Sequence, residues 1–315
     1  MYDGNNSPAM NKLADAAANF VNSERRSRWF SNFMKLAIGV YLVGSLVILS
    51  QSFSGSMGDD SQKPHVAVVT IVGAILPETE TSADAIIPQL EEAFSNKNSK
   101  GVILNVNSPG GSAVQSGVIY DEIKRLKALH PEKQILTVAQ DLCASGCYYI
   151  ASATDKIYAD KASIVGSIGV RFDGFGVTEL MKKIGVENRS LAAGEHKRLL
   201  DPFSPADKEA QEHLQKHVLA RTHEQFKKAV RDGRGERLKE NKDLFTGLVW
   251  IGDEAVEMGL IDKLGDIRHA ARSEFDNDNL VDYAPALSVF DKLAKGIGAE
   301  VSHRLQQASQ ASLKF

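Results

Sequence analysis

Asp141-Leu-Cys-Ala-Ser-Gly-Cys-Tyr-Tyr-Ile-Ala151 follows the apolar run Ile135-Leu-Thr-Val-Ala139. Together they read as a buried strand that breaks into a helix around Ser145. A helix N-terminus presents unpaired N–H groups and the positive end of the macrodipole, so an alkoxide or oxyanion forming at Ser145 would be stabilised. Gly146 leaves room for a substrate to approach. The same position also suits a serine that merely caps its helix.

Upstream, Val102-Ile-Leu-Asn-Val106 runs into Asn107-Ser-Pro-Gly-Gly-Ser112, a strand followed by a Gly-Gly turn that opens an amphipathic helix. Glycines there let backbone N–H groups turn toward a ligand. Gly111 and Gly146 could offer donors from two sides of one carbonyl, the arrangement an oxyanion hole requires.

Outward from these turns the pattern alternates. Val66–Val72 is a continuous β-rich run of the kind that a doubly covered strand shows. A helix is expected near 82–94, then the strand at 102–106. Next comes a helix near 113–129 with Val114, Val118, Ile119, Ile123 and Leu126 on one face. Further strands are expected at 156–159 and 164–170, a short helix at 178–184, an extended segment at 187–192, and a long charged helix after Ser204-Pro205. A second amphipathic stretch spans Asp253–Met258. The order βαβα predicts an α/β fold with a mostly parallel sheet and flanking helices.

Before this domain, residues 29–50 form an apolar stretch whose one charge is Lys35. As a helix, 22 residues would span about 33 Å, enough for a bilayer. Arg25, Arg26 and Arg28 crowd its N-terminal side, which by the positive-inside rule places the N-terminus in the cytoplasm and the rest outside. A cleaved signal peptide would lead to the same side. The expected organisation is a cytoplasmic tail (1–28), a transmembrane anchor (29–50), a linker (51–63), a catalytic domain (64–275) and a C-terminal tail (276–315).

The 315 residues, 43% of them apolar and 24% charged, suffice for a full core. A net charge of −3 supplies no general attraction to nucleic acid. The two cysteines, Cys143 and Cys147, are too few for a structural zinc site. Four apart on one expected helix, they are poorly placed for an unstrained disulfide, and read as small, buried, unreactive thiols, with redox control of the site as the alternative. His213 and His217 are four apart but lack the glutamate of a metallopeptidase motif. No metal or cofactor is expected.

A serine nucleophile needs a base and a group that orients the base. From the residues alone, His196 and Lys197 are both open as the base. A lysine would have to be partly neutral, which burial in an apolar site favours.

The segments NVNSPGGS, CASGCYYIAS, IVGSIGV, AGEHKRLLDPFSP and TGLVWIGDEAVEMGLIDKLG resemble, in order and spacing, those of the signal peptide peptidase family, over roughly residues 64–270. The resemblance implies a ClpP/crotonase-like fold and a Ser-Lys dyad, with Ser145 as nucleophile, Lys197 as general base, Ser167 orienting the lysine, and Gly111 with Gly146 as the oxyanion hole. It also implies a ring-like homo-oligomer. Two departures stand out: Cys147 fills a place where members often carry a small residue, and Glu195-His196-Lys197 stands where many read Lys-Tyr-Lys. The expected protein is a serine endopeptidase of the bacterial cytoplasmic membrane. Its catalytic domain lies outside and acts on membrane-associated peptides such as released signal peptides. The alternatives are an inactive peptide- or membrane-protein-binding scaffold of the same fold and a crotonase-type acyl-CoA enzyme.

Overall fold

A computed structural model of the chain describes residues 34–45 and 60–284. In the first stretch, residues 34–45 form helix α1. No helix among the described residues is long and apolar enough to cross a membrane. The expected span at 29–50 continues on both sides of α1 outside the described residues, as do most of the linker and both chain ends.

The second stretch is built on a sheet of eight strands. In chain order they are β1 (His65–Val72), β2 (Ser99–Ser108), β3 (Ile135–Ala144), β4 (Lys156–Ala159), β5 (Ile164–Gly166), β6 (Val249–Ile251), β7 (Lys263–Leu264) and β8 (Leu280–Asp282). The order across the sheet is β6-β5-β3-β2-β1-β8, with β4 also pairing β3 and β7 pairing β4. All pairings are parallel except β5 with β6. The helices are α2 (Ala83–Ser95), α3 (Ala113–Leu129), α4 (Gly146–Ala151), α5 (Thr178–Ile184), α6 (Lys208–His213), α7 (Ala220–Arg234), α8 (Gly252–Glu257) and α9 (Ile267–Phe275). A π-helical turn at Leu214–Leu219 joins α6 to α7, so the expected long helix is continuous but locally unwound.

Alternation along the central strands supplies two buried faces. Ala67, Val69, Ile71, Val102, Leu104 and Val106 pack toward Ile86, Leu90, Ile119 and Ile123 of α2 and α3. Val66, Ile103, Leu136, Val138 and Tyr158 pack on Ala270 and Ala271 of α9. This double cover explains why the strands read as unbroken apolar runs.

The helix starts follow their capping residues. Ser82 and Ser112 accept from the N–H groups of Ala85 and Gln115 at the starts of α2 and α3. Ahead of α6 the cap is Asp207, which accepts from Ala210 N. Ser204 instead gives its hydroxyl proton to Asp201.

The structure differs from the sequence expectation at several places. The buried face of α3 is Ser116, Ile119, Tyr120, Ile123 and Leu126, while Val114 and Val118 are exposed. Leu280–Asp282, expected in a tail, pairs with Val66–Val68 as an edge strand. Its Tyr283 neighbour meets the buried His65 ring, Nε2 to OH at 2.9 Å.

Candidate active site

Strand β3 changes partner part-way along. Leu136–Ala139 pair with β4, whereas Leu142–Ala144 pair with β5, in register Cys143 with Val165 and Ala144 with Gly166. The second half therefore diverges from the first and delivers Ser145 at the end of a parallel pair. Ser167 follows Gly166 on the adjacent strand. Ser145 N–H donates to Gly166 O at 2.8 Å, and Ser167 N–H donates to Leu248 O at 2.8 Å. Ser145 and Ser167 thus occupy neighbouring strand ends.

Both serines have reversed backbones, Ser145 with φ 54° and Ser167 with φ 51°. Non-glycine residues occupy this region sparsely, at a cost of order 1–3 kcal/mol, and concentrate there at functional turns. Ser145 precedes α4, but its side chain makes no capping bond. That removes the structural role the sequence left open: the hydroxyl is half-buried and does not serve the helix behind it.

The two glycine turns meet at this point. A Cβ placed on Gly110 would lie 2.5 Å from Gly146 N, and one on Gly146 would lie 3.2 Å from Gly111 N. Neither Gly111 N–H nor Gly146 N–H donates to another group among the described residues. Gly111 is held by the strand-like bridge to Ile75, with Ile75 N donating to Gly110 O (2.9 Å) and Ser112 N to Ile75 O (2.8 Å). Gly110, which sequence reasoning passed over for its neighbour, has φ 87° and donates to Ser108 Oγ at 3.1 Å. Its signal was the first glycine of the Gly-Gly pair.

The cysteines differ from the sequence expectation. Cys143 and Cys147 form a disulfide, with Cα atoms 5.2 Å apart. The reading as free thiols assumed that both lay on one helix. Cys143 instead belongs to β3, and the chain reverses at Ser145 before Cys147 enters α4, which brings the Cα atoms into the range a disulfide spans.

Lys197 and His196 lie in the loop between α5 and α6. The Lys197 side chain is exposed and makes no hydrogen bond or ion pair to Ser145, to Ser167 or to any other described residue, while its backbone N–H donates to Gly194 O at 3.1 Å. The structure therefore brings four of the five expected site residues together and leaves the fifth on a separate loop. His196 Nδ1 is 2.7 Å from Asp207 Oδ2, and that hydrogen bond holds the imidazole above the usual histidine range. Asp201 organises the same loop, accepting from Ser204, Arg198, Asn188 and Phe203 N. These bonds, with Ser204 foremost, hold its carboxyl far below the usual carboxylate range. Sequence reasoning missed this role, since Asp201 there was one letter of a motif. A further histidine, His223 on α7, donates from Nε2 to Ile168 O at 3.1 Å, one residue beyond Ser167.

The model of peptidase family S49 matches residues 127–280, and the model of Clp protease matches residues 66–164. The Methanocaldococcus jannaschii protein named "Putative protease MJ0651" is 30% identical over 259 residues, covering 78% of this chain and 82% of that protein. The chain belongs to peptidase family S49. Its mostly parallel α/β sheet is the ClpP-like fold. The S49 resemblance extends to "Putative signal peptide peptidase SppA" of Enterococcus faecium, 34% identical over 179 residues, 57% of this chain and 51% of that protein. The protein named "Na(+)/H(+) antiporter NhaA" of Brucella abortus is 41% identical over 237 residues, 75% of this chain. The chain spans about a third, 32%, of that relative's length.

Proposed function

We propose that this S49 protein is a membrane-anchored serine endopeptidase that hydrolyses membrane-associated peptides, such as released signal peptides, with Ser145 as nucleophile and Lys197 as general base. The observation that carries the reading is the state of Ser145. It sits on a reversed backbone with an uncapped hydroxyl, beside Ser167 and two unpaired glycine N–H groups.

In the proposed mechanism Ser145 Oγ attacks the peptide carbonyl carbon while Lys197 Nζ, in its neutral form, takes the hydroxyl proton. Gly111 and Gly146 N–H groups receive the negative charge on the carbonyl oxygen. Lysine then returns the proton to the departing amine, leaving an acyl-enzyme that water hydrolyses by the same steps. Ser167 orients the lysine.

Lys197 reaches this site once its loop is packed down. Phe172, Phe175, Leu180, Ile184, Leu191 and Phe203 are all exposed in the segment that carries it, Leu191 at 99%. Apolar surface of that density favours a covering partner, and a homo-oligomer would provide one. The arginine cluster ahead of residues 29–50 supports anchoring in the bacterial cytoplasmic membrane with the catalytic domain outside. The Cys143–Cys147 disulfide supports an oxidising compartment.

The test is a serine-directed fluorophosphonate applied to the full chain in membranes, with the labelled residue located by mass spectrometry. Labelling at Ser145, lost in Ser145→Ala together with peptide hydrolysis, is expected. A folded, assembled protein that is neither labelled nor active would instead be a peptide-binding scaffold.

A further inference from the structure

We propose that the Cys143–Cys147 disulfide is a positioning clasp for Ser145, holding the reversed backbone of the nucleophile in the geometry that acylation requires. The inference rests on Ser145 being the nucleophile. The ring closed by the bridge contains Ala144, Ser145 and Gly146, which are the last strand-paired residue, the nucleophile and one unpaired N–H donor.

Ser145 combines φ 54° with ψ −121°, a backbone state that persists only where its surroundings over-determine it. Its own side chain contributes no hold, since it makes no capping bond. Two backbone bonds do contribute: Ser145 N to Gly166 O, and Tyr149 N to Ser145 O at 2.9 Å. Both act through one atom of Ser145 each. The disulfide adds a covalent restraint, tying the residue two before Ser145 to the residue two after it.

The clasp acts locally. A five-residue loop closes little chain entropy, so the bridge adds little to global stability compared with one that joins distant segments. Both cysteines are almost wholly buried in the core, at 1% and 2% exposure, beside Tyr148 and Val165. Reductants reach a disulfide by thiolate attack on an accessible sulfur, so this one is shielded while the domain stays folded. It is a permanent part of the site and not a surface redox sensor. Cys147 also explains the departure from small residues at this place: it is one half of the clasp.

The experiment uses the full chain in detergent. It is purified oxidised, then reduced in mild denaturant and returned to buffer without oxidant, then reoxidised. Thiols are counted by alkylation and mass at each stage, and the Cys143→Ala/Cys147→Ala double variant is carried in parallel. The readouts are the rate of fluorophosphonate labelling at Ser145, kcat and KM on a fluorogenic peptide, and the thermal transition. The oxidised protein should show no alkylatable thiol. Reduction should lower the labelling rate and kcat on the order of 10²-fold, the penalty of a misplaced reacting atom. KM should change little, the thermal transition should move little, and reoxidation should restore the rate. The double variant should match the reduced protein and gain nothing from oxidant; if it does not fold, the reduction and reoxidation cycle decides alone. Two free thiols in the oxidised protein, or labelling within about twofold after reduction to two thiols, would overturn the clasp. Failure to label Ser145 in the oxidised protein overturns the nucleophile assignment itself, a separate and recognisable result.

Discussion

Gly110 stands so close to Gly146 that a Cβ on Gly110 would fall 2.5 Å from the Gly146 nitrogen and 2.6 Å from the Ala144 carbonyl oxygen. The Gly110-Gly111 turn and the Ser145 turn are therefore in direct backbone contact, so a shift of one bears on the other. Gly110 also has φ 87°, which side-chain-bearing residues avoid. Gly110→Ala should destabilise the domain by about 1–3 kcal/mol through strain and contact together. It should also reduce Ser145 labelling more than tenfold. Gly117→Ala is the control: on α3 its Cβ would meet nothing within 4 Å, so the variant should be as stable or gain roughly 0.5–1 kcal/mol of helix propensity. Urea titration compares the two. Equal behaviour would remove the argument from close contact.

Lys197→Ala should cost orders of magnitude in kcat, because members of a dyad act as a unit, whereas His196→Ala should cost severalfold at most. The assay is peptide hydrolysis by the three variants Lys197→Ala, His196→Ala and Ser145→Ala, each checked for fold and assembly. Near-parental turnover in Lys197→Ala would reverse the assignment.

Arg234 is almost fully buried and joins three segments, giving Nε to Gly259 O at 2.8 Å and Nη1 to Asp262 Oδ2 at 2.7 Å. Asp262 in turn accepts from Ile157 N at 2.7 Å, at the start of β4. Arg237 Nη1 also reaches Asp262 Oδ1 at 3.0 Å, so removing Arg234 leaves the aspartate with one cation, and the cost approaches but stays below the about 3–5 kcal/mol of a fully orphaned buried charge. Arg234→Met should therefore lower the denaturation midpoint sharply. Lys228→Met, which breaks an exposed pair with Asp232, should shift stability by roughly 1 kcal/mol or less.

Glu274 on α9 should make the domain acid-sensitive. Burial by itself would raise its carboxyl, but hydrogen bonds from Lys156, Tyr158 and Lys263 outweigh that and bring it from 4.5 down to about 2. A carboxyl whose folded value lies below its unfolded value contributes fully above the unfolded value and loses that contribution as pH falls through the folded one. Parental stability should thus decline between about pH 4.5 and 2, and Glu274→Gln should decline less over that window. Urea midpoints at stepped pH measure the difference; parallel curves would exclude Glu274 as a source.

Protease added to intact spheroplasts should digest the domain that follows residue 63, as the Arg25, Arg26 and Arg28 cluster implies for an extracytoplasmic placement. Digestion only after lysis would reverse the orientation.

What the sequence determined by itself is what short-range physics controls. The apolar runs at 66–72, 102–106 and 135–139 became strands of a doubly covered parallel sheet because their pattern matches the pleat. The helices at 113–129 and 178–184 kept the bounds expected of them. Ser145, Ser167, Gly111 and Gly146 were legible as motif positions, since the turns that carry them need small residues. Tertiary structure decided the rest. The exchange of β4 for β5 along β3 sets Ser145 beside Ser167 and lets Cys143 meet Cys147, and no local signal in 135–147 reports which strand lies alongside. Likewise Leu280–Asp282 is a strand because β1 offers it an edge, and Asp207 caps α6 while the Ser204 hydroxyl is engaged with Asp201. In each case the deciding partner lies elsewhere in the fold or in a competing hydrogen bond, where the spacing of residues along the chain carries no record of it.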